Sequence, residues 1–220
     1  MTRGAGPDYP VVLSLAGRPC LVVGAGPVAA RKAAGLLEAG ADVTVVAPDV
    51  SESMAALIEA AGQAAVGAGG GMRLEHRPYR DGDARGAAFV IAATGVPAVD
   101  RKVTEEALAL GALVNGAPDD HVGAVRLPAL FRRGAVTVSV STGGRSPALA
   151  RWTRDHLAAA PGPDLAFLCE LLEEARAETG PSPRSTQAAD WAAAIEHVVP
   201  LLEAGRVDEA RQHLARALRR

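Results

Sequence analysis

Few folds accommodate the stretch Cys20-Leu21-Val22-Val23-Gly24-Ala25-Gly26-Pro27-Val28-Ala29, where an apolar run ends in two glycines and passes straight into a helical pattern. It reads as a strand, a phosphate turn and a helix start. Gly24 makes the tight bend, Gly26 lets backbone N–H groups approach a pyrophosphate, and the small Ala29 lets the helix pack close to the strand. The pyrophosphate then sits at the positive end of that helix. Glycine- and alanine-rich chains produce G-x-G-x-x-A by chance, and some methyltransferases that bind S-adenosylmethionine use a similar loop, so context decides. Here Ala29, Ala33, Leu36 and Leu37 follow at helical spacing, Gly40 supplies a left-handed stop, and Val43-Thr44-Val45-Val46 gives a second strand. That completes a βαβ unit.

The same alternation continues. Ser51 caps a predicted helix through Ala61, Met72–His76 and Phe89–Ala93 read as a third and a fully buried fourth strand, and Val99, Val103, Ala107 and Leu110 form the inner stripe of another helix. Ala112–Val114 is a fifth strand, and Val11–Leu15 reads as a short edge strand before the turn at Gly17-Arg18-Pro19. The fold class expected is α/β, a Rossmann-like doubly wound parallel sheet over residues 1–115. Gly67–Gly71 lacks the Gly-Lys-Ser/Thr ending of a nucleotide P-loop and reads as a surface insertion.

After residue 115 the period changes. Ala124–Leu130 and Ala135–Ser141 are strand-like, joined by Phe131-Arg132-Arg133-Gly134, with Val136, Val138 and Val140 alternating with polar residues. This predicts a small hairpin over residues 116–146 whose one apolar face a second copy of the chain would cover, hence a homodimer. Ser146 is placed to cap, and Pro147 to start, the first helix of a helical C-terminal domain over 147–220. Further helices are expected at 164–178, 187–203 and 207–219, with Gly180-Pro181-Ser182-Pro183 as a linker.

Composition narrows the setting. A net charge of −2 gives no reason to expect nucleic acid or an anionic membrane as partner. Two cysteines, Cys20 and Cys169, are too few for a disulfide framework, no apolar run is long enough to span a membrane, and Met1–Pro10 lacks the features of a signal peptide. A reducing cytoplasm is the expected location. The five histidines show no ligand spacing, so a permanent metal is not expected.

Stretches in three groups together carry a family resemblance over roughly residues 9–178. They are Val23-Gly24-Ala25-Gly26-Pro27-Val28-Ala29-Ala30-Arg31-Lys32, preceded by Tyr9-Pro10-Val11; Val43–Pro48 with Ala92-Ala93-Thr94 and Val114-Asn115; and Val138-Ser139-Val140-Ser141-Thr142-Gly143-Gly144-Arg145-Ser146-Pro147-Ala148-Leu149-Ala150-Arg151. The last is no general feature of dinucleotide folds. The chain resembles the precorrin-2 dehydrogenase and sirohydrochlorin ferrochelatase family, the dehydrogenase and chelatase part of siroheme synthase. Residues 179–220 lie beyond the resemblance.

The resemblance implies NAD-dependent oxidation of precorrin-2 to sirohydrochlorin in siroheme biosynthesis, with ferrous iron as a further substrate in some members. It also implies a Rossmann domain, a dimerisation domain and a helical domain. Carried over by position, cofactor contacts fall on Gly24, Ala25, Gly26, Pro27, Val28, Pro48, Asp49 and Thr94, and substrate contacts on Asn115, Ser141, Thr142, Gly143 and Arg145. A ribose-binding carboxylate normally ends the second strand, where Val46 and Ala47 stand, so the residues themselves support Asp49 less than the glycines. No arginine stands beside that point to take a 2′-phosphate, which favours NAD over NADP.

The family's catalytic aspartate lies three residues after the asparagine that ends the fifth strand. This chain reads Asn115-Gly116-Ala117-Pro118 there, with proline in place of the carboxylate, followed by Asp119, Asp120 and His121. Asp119 as a re-aimed base, or His121 whose imidazole titrates near neutrality, are the catalytic candidates, against ordinary solvated turn residues. A tetrapyrrole with many carboxylates calls for arginines and N–H donors, and Arg126, Arg132, Arg133, Arg145 and Arg151 cluster near the hairpin in sequence. Three readings stay open: an active dehydrogenase, a dinucleotide- or tetrapyrrole-binding protein without catalysis on account of Pro118, and an unrelated enzyme such as an S-adenosylmethionine-dependent methyltransferase.

Overall fold

The computed structural model describes residues 8–64, 70–116, 125–160, 162–179 and 187–217. The chain divides into two compact units, Met1–Leu127 and Pro128–Arg220.

The first unit is built on five parallel strands, β1 (Pro19–Val23), β2 (Asp42–Val46), β3 (Met72–Glu75), β4 (Phe89–Ala92) and β5 (Leu113–Asn115), in the spatial order β3-β2-β1-β4-β5. The central strand β1 and its neighbour β4 come from the two most apolar runs, and Val22, Val90 and Ile91 are wholly buried, as expected of strands covered on both faces. Chain order reverses direction between β1 and β4. That is the switch point where open α/β sheets leave a crevice at the carboxyl ends of their strands.

Helices α1 (Pro27–Glu38) and α2 (Glu52–Ala64) cover one side, where Ala29, Ala33, Leu36 and Met54 pack on Val22, Val43, Val45 and Ile91. Helix α3 (Pro97–Ala109) covers the other through Val103 and Ala107 on Leu21, Val23 and Val90. The rest of that second side is closed by a turn segment before β4, from which Tyr79, Ala84 and Ala87 reach the same cluster. The segment is held by charge. Arg77 donates two hydrogen bonds to Asp83, at 2.8 and 2.9 Å, and Glu106 accepts from the Tyr79 hydroxyl at 2.7 Å and from the Gly82 N–H at 2.6 Å. The Arg77 hydrogen bond, joined by the Arg80 N–H, holds the Asp83 carboxyl below the usual carboxylate range. Burial and the bond to Glu106 push the Tyr79 phenol above its ordinary value.

Val11–Leu15, read from sequence as an edge strand, joins no ladder. Val11 and Val12 are exposed, so pairing would bury little, and only Leu15 packs on the core. The stretch before the hairpin also differs from the expected strand over Ala124–Leu130. Val125–Pro128 is not a strand, because the Val125 N–H is already given to the Val114 carbonyl at 2.9 Å and Pro128 has no N–H to offer.

In the second unit, β6 (Ala129–Arg133) and β7 (Val136–Val140) form the expected antiparallel pair, with Phe131 opposite Val138 and Arg133 opposite Val136. The strand therefore runs through Arg133, and the connection is shorter than the Phe131–Gly134 link read from sequence. Gly134 at φ +57 followed by Ala135 at negative φ is the pattern of a two-residue II′ turn, whose twist suits a hairpin. Helices α4 (Pro147–Ala159), α5 (Leu165–Thr179), α6 (Gln187–Glu203) and α7 (Val207–Ala217) complete the unit, and Leu168, Leu171, Val198, Ala210 and Leu214 form its helical core. The hairpin and these helices share one compact unit, where the sequence reading separates 116–146 from 147–220.

The hairpin's apolar face has cover from within its own unit. Arg133, on the same face as Val136, Val138 and Val140, donates to the Ala158 carbonyl of α4 at 2.5 Å, and a β-carbon on Gly134 would strike Ala166 of α5. The three valines are half-buried while Thr137 and Ser139 between them are exposed. Helix α4, in turn, buries Ala150 and leaves Leu149, Trp152 and Leu157 exposed, with the Trp152 and His156 rings stacked 5.1 Å apart.

Candidate functional site

The phosphate turn lies between β1 and α1, at the crevice. Its two glycines are there for different reasons. Gly24 sits at φ +106, and a β-carbon on it would overlap the Ala93 carbonyl oxygen and come within 3.0 Å of the Thr94 Cα. Its N–H is bound to the Val46 carbonyl at 2.9 Å, so the turn is tied to the ends of β2 and β4. Protein packing alone demands glycine here. Gly26 has φ −75 and ψ 176, ordinary for any residue, and a β-carbon on it would meet nothing within 4 Å. The protein's own packing does not require glycine at that position.

Gly26 is also the N-cap of α1. It carries no side chain to accept the first N–H groups of the helix, no acidic residue stands in the first turn, and Pro27 at the first position has no N–H. By contrast, α4 begins with Ser146, whose hydroxyl accepts the Leu149 N–H at 3.2 Å. The uncapped start of α1 beside an open cradle suits an anionic group such as pyrophosphate. Val28 is half-exposed at 49%, while Ala29 is fully buried against the sheet, as a close helix approach needs.

Ala25 is buried, and its carbonyl accepts two hydrogen bonds from Ser51, from the N–H at 3.0 Å and from the hydroxyl at 2.7 Å. Ser51 precedes α2 as expected, and this second bond, 26 residues away in sequence, is one that periodicity cannot reveal. Pro48 and Asp49 follow β2 and are exposed, whereas Val46 and Ala47 are buried. Thr94 follows β4 and gives both its N–H, at 2.8 Å, and its hydroxyl, at 2.7 Å, to Oδ1 of Asp100. Asp100 was missed in the sequence. The available signal was a carboxylate in the first turn of a helix that follows the Ala-Ala-Thr stretch. Lys32 on α1 is half-buried, and burial keeps its ammonium below the ordinary lysine range, with Arg31 acting the same way and Asp100 opposing.

Asn115 ends β5. Its Nδ2 donates to the Val125 carbonyl at 2.9 Å, which fixes which end of the amide is nitrogen, and its Oδ1 is buried with no hydrogen-bond partner among the described residues. A buried acceptor left in this way is suited to a donor brought by a ligand. Asp119 and His121, together with Pro118, lie outside the described residues.

The remaining expected substrate residues belong to the second unit, in the connection from β7 to α4. Ser146 donates its N–H to the Thr142 hydroxyl at 3.1 Å, and that hydroxyl donates to the Ser146 carbonyl at 3.0 Å, so Thr142 closes the turn on itself. Gly143 and Gly144 both take positive φ, and the Gly143 N–H is given to the Ser141 hydroxyl at 3.2 Å. The Ser-Thr-Gly-Gly-Arg-Ser-Pro motif is thus an internally hydrogen-bonded turn that leads into a capped helix, with Ser141 and Arg145 exposed. Among the described residues, no group of three or more His, Cys, Asp or Glu is arranged to hold a metal, and no helix is long and apolar enough to cross a membrane.

Comparison with known proteins agrees with this geometry. Residues 11–129 match a family model described as putative NAD(P)-binding, and residues 133–160 match one described as sirohaem biosynthesis protein central. A siroheme synthase of Pseudomonas paraeruginosa is 42% identical over 148 residues, 67% of this chain and 30% of that protein. One of Thioalkalivibrio sulfidiphilus is 34% identical over 215 residues, 96% of this chain and 42% of that protein. The chain thus spans less than half the length of these siroheme synthases. The solved structure of SirC, a precorrin-2 dehydrogenase, superposes with a TM-score of 0.70 at 27% identity, covering 96% of this chain and 98% of that one. With more than half its length inside the NAD(P)-binding model, and with similarity to siroheme synthases and to the precorrin-2 dehydrogenase SirC over most of its length, the chain belongs to the NAD(P)-binding family.

Proposed function

We propose that this chain is a dehydrogenase that oxidises precorrin-2 to sirohydrochlorin with NAD. The observation that carries the cofactor part is Gly26, a glycine that the protein's own packing does not need, at the uncapped start of a helix. Gly24, Ala25, Gly26, Pro27 and Val28 form the pyrophosphate cradle, Pro48 and Asp49 lie on the adenosine side after β2, and Thr94 lines the crevice after β4. NAD is preferred to NADP because no arginine follows Ala47 before α2.

The bound nicotinamide supplies a hydride acceptor. The chain's own task is to orient the macrocycle beside it and take up the proton that leaves. Asn115, whose buried Oδ1 awaits a donor, fits a ring N–H of the substrate, and Ser141, Thr142, Gly143 and Arg145 are the further substrate candidates. Asp119 is the candidate base and His121 the alternative, both shortly after β5 in the sequence. A ferrous ion enters only as a second substrate for chelation.

A homodimer remains part of the proposal, now supported by exposed Leu149, Trp152 and Leu157 on α4 rather than by the hairpin's valines. The expected compartment is the cytoplasm. Incubation of the chain with precorrin-2 and NAD should yield NADH and sirohydrochlorin in equal amounts. NAD binding with no oxidation would select the binding-protein reading that Pro118 favours, and binding of S-adenosylmethionine alone would remove the dehydrogenase reading.

A further inference from the structure

Only two polar or charged side chains among the described residues are buried, Asp100 at 4% and Thr104 at 4% exposure. They stand one turn apart on the same face of α3, although burying such groups is costly unless they are satisfied. What satisfies them is not the core. Asp100 Oδ1 receives the N–H and the hydroxyl of Thr94, at 2.8 and 2.7 Å. The Thr104 hydroxyl donates to the Asp100 carbonyl at 2.7 Å, and a β-carbon on Gly116 would lie 2.7 Å from that same hydroxyl oxygen. One small polar cluster therefore touches both the turn after β4 and the start of the loop after β5.

The Thr94 turn is itself the wall behind Gly24, since Ala93 and Thr94 are the atoms that forbid a side chain there. Whatever holds Thr94 sets the depth of the phosphate turn. From this we infer that Asp100 is a positioning residue for dinucleotide binding, acting through Thr94 and without touching the cofactor. The inference rests on the dinucleotide reading of the Gly24–Val28 turn.

Both hydrogen bonds converge on a single oxygen, which makes a specific demand. An amide presents one oxygen in the same place, so Asp100→Asn keeps both bonds, whereas Asp100→Ala loses them and Asp100→Ser is too short to reach. A role that depended on negative charge would sort the variants differently.

The test is calorimetric NAD binding to the full chain and its three variants, together with hydrogen exchange at the Thr94 amide in the cofactor-free protein. Asp100→Asn should bind NAD within about threefold of the parent and keep Thr94 protected. Asp100→Ala and Asp100→Ser should bind about tenfold or more weakly, the effect of losing hydrogen bonds to a charged group, and expose Thr94 to exchange. Two variants guard against one failing to fold. Parental affinity in a folded alanine or serine variant overturns the inference, and so does a tenfold loss in Asp100→Asn. A parent that binds no NAD overturns the dinucleotide reading first and the role of Asp100 with it, an outcome distinct from variants that match a binding parent.

Discussion

In the first unit Leu21, Val22 and Val23 lie between a helical layer and a second layer of α3 and the turn segment, none more than 2% exposed. In the second, α4 buries only Ala150 and leaves Trp152 62% exposed beside Leu149 and Leu157. The sheet of the first unit has both faces covered from within that unit, although apolar side chains away from its centre such as Val11 and Val12 are exposed, and Gly26 and Asn115 Oδ1 are the features there that its own packing does not explain. In the second unit the exposed apolar side chains Leu149, Trp152 and Leu157 share one helix, and the proposed dimer gives them a partner surface. Residues a fold does not need for itself are thus informative in both units, in different directions.

The sharpest break of that contrast is within one turn. Gly24→Val should cost several kcal/mol and give little folded protein, since it adds both positive-φ strain and overlap with backbone. Gly26→Val should fold with a loss of about 1 kcal/mol or less, the difference between these residues as helix caps, and yet fail to bind NAD. Thermal melting and calorimetry on the two variants separate the roles; equal melting losses would show that packing needs both glycines.

The next effect falls on catalysis. If the base has moved past Pro118, Asp119→Ala lowers the rate of precorrin-2 oxidation by about two to four orders of magnitude with NAD affinity intact, and Asp120→Ala does much less. Steady-state rates of both variants check this, and full activity in each would pass the role to His121. On the second unit, Trp152→Asp should leave the protomer folded, because the ring is exposed, and weaken self-association by about thirtyfold or more, as for a central aromatic at an interface. Sedimentation equilibrium reads this directly, and a parent that is monomeric at micromolar concentration removes the contrast between the units.

The smallest effect is electrostatic and confined to the first unit. Asp83 has its carboxyl lowered by Arg77, so its contribution to stability is complete above its ordinary value of 3.8 and is lost as pH falls through the lowered one. Asp83→Asn should cost about 1–2 kcal/mol at neutral pH and show a smaller further loss in acid than the parent. Chemical unfolding of both proteins at pH 7 and pH 3 tests the sign.

The sequence carried the sheet well, because fully buried parallel strands are unbroken apolar runs and the helices between them have clear 3.6-residue periods. It carried the cofactor turn for the same reason, its glycines being local. Three things were beyond it. Val11–Leu15 has the composition of a strand but no free partner, and pairing is a tertiary matter. Asp100 looks like any acidic residue early in a helix until Thr94 folds back on it. The sparing of Leu149, Trp152 and Leu157 from the interior depends on which face of α4 meets the hairpin, and the periodicity of an isolated helix with apolar residues on two faces does not say.

The two hydrogen bonds from Ser51 to the Ala25 carbonyl have a kinetic meaning. A trans peptide is planar, so with that oxygen turned toward Ser51 the N–H of Gly26 must point the opposite way, out of the turn. The peptide cannot rotate to present its oxygen to an incoming anion without breaking both bonds at once. The receptive form is then the resting form, and no fraction of the binding energy is spent on selecting it from a mixture. Association with a dinucleotide should therefore show a single phase whose rate stays proportional to cofactor concentration, with no plateau set by a prior rearrangement of the loop.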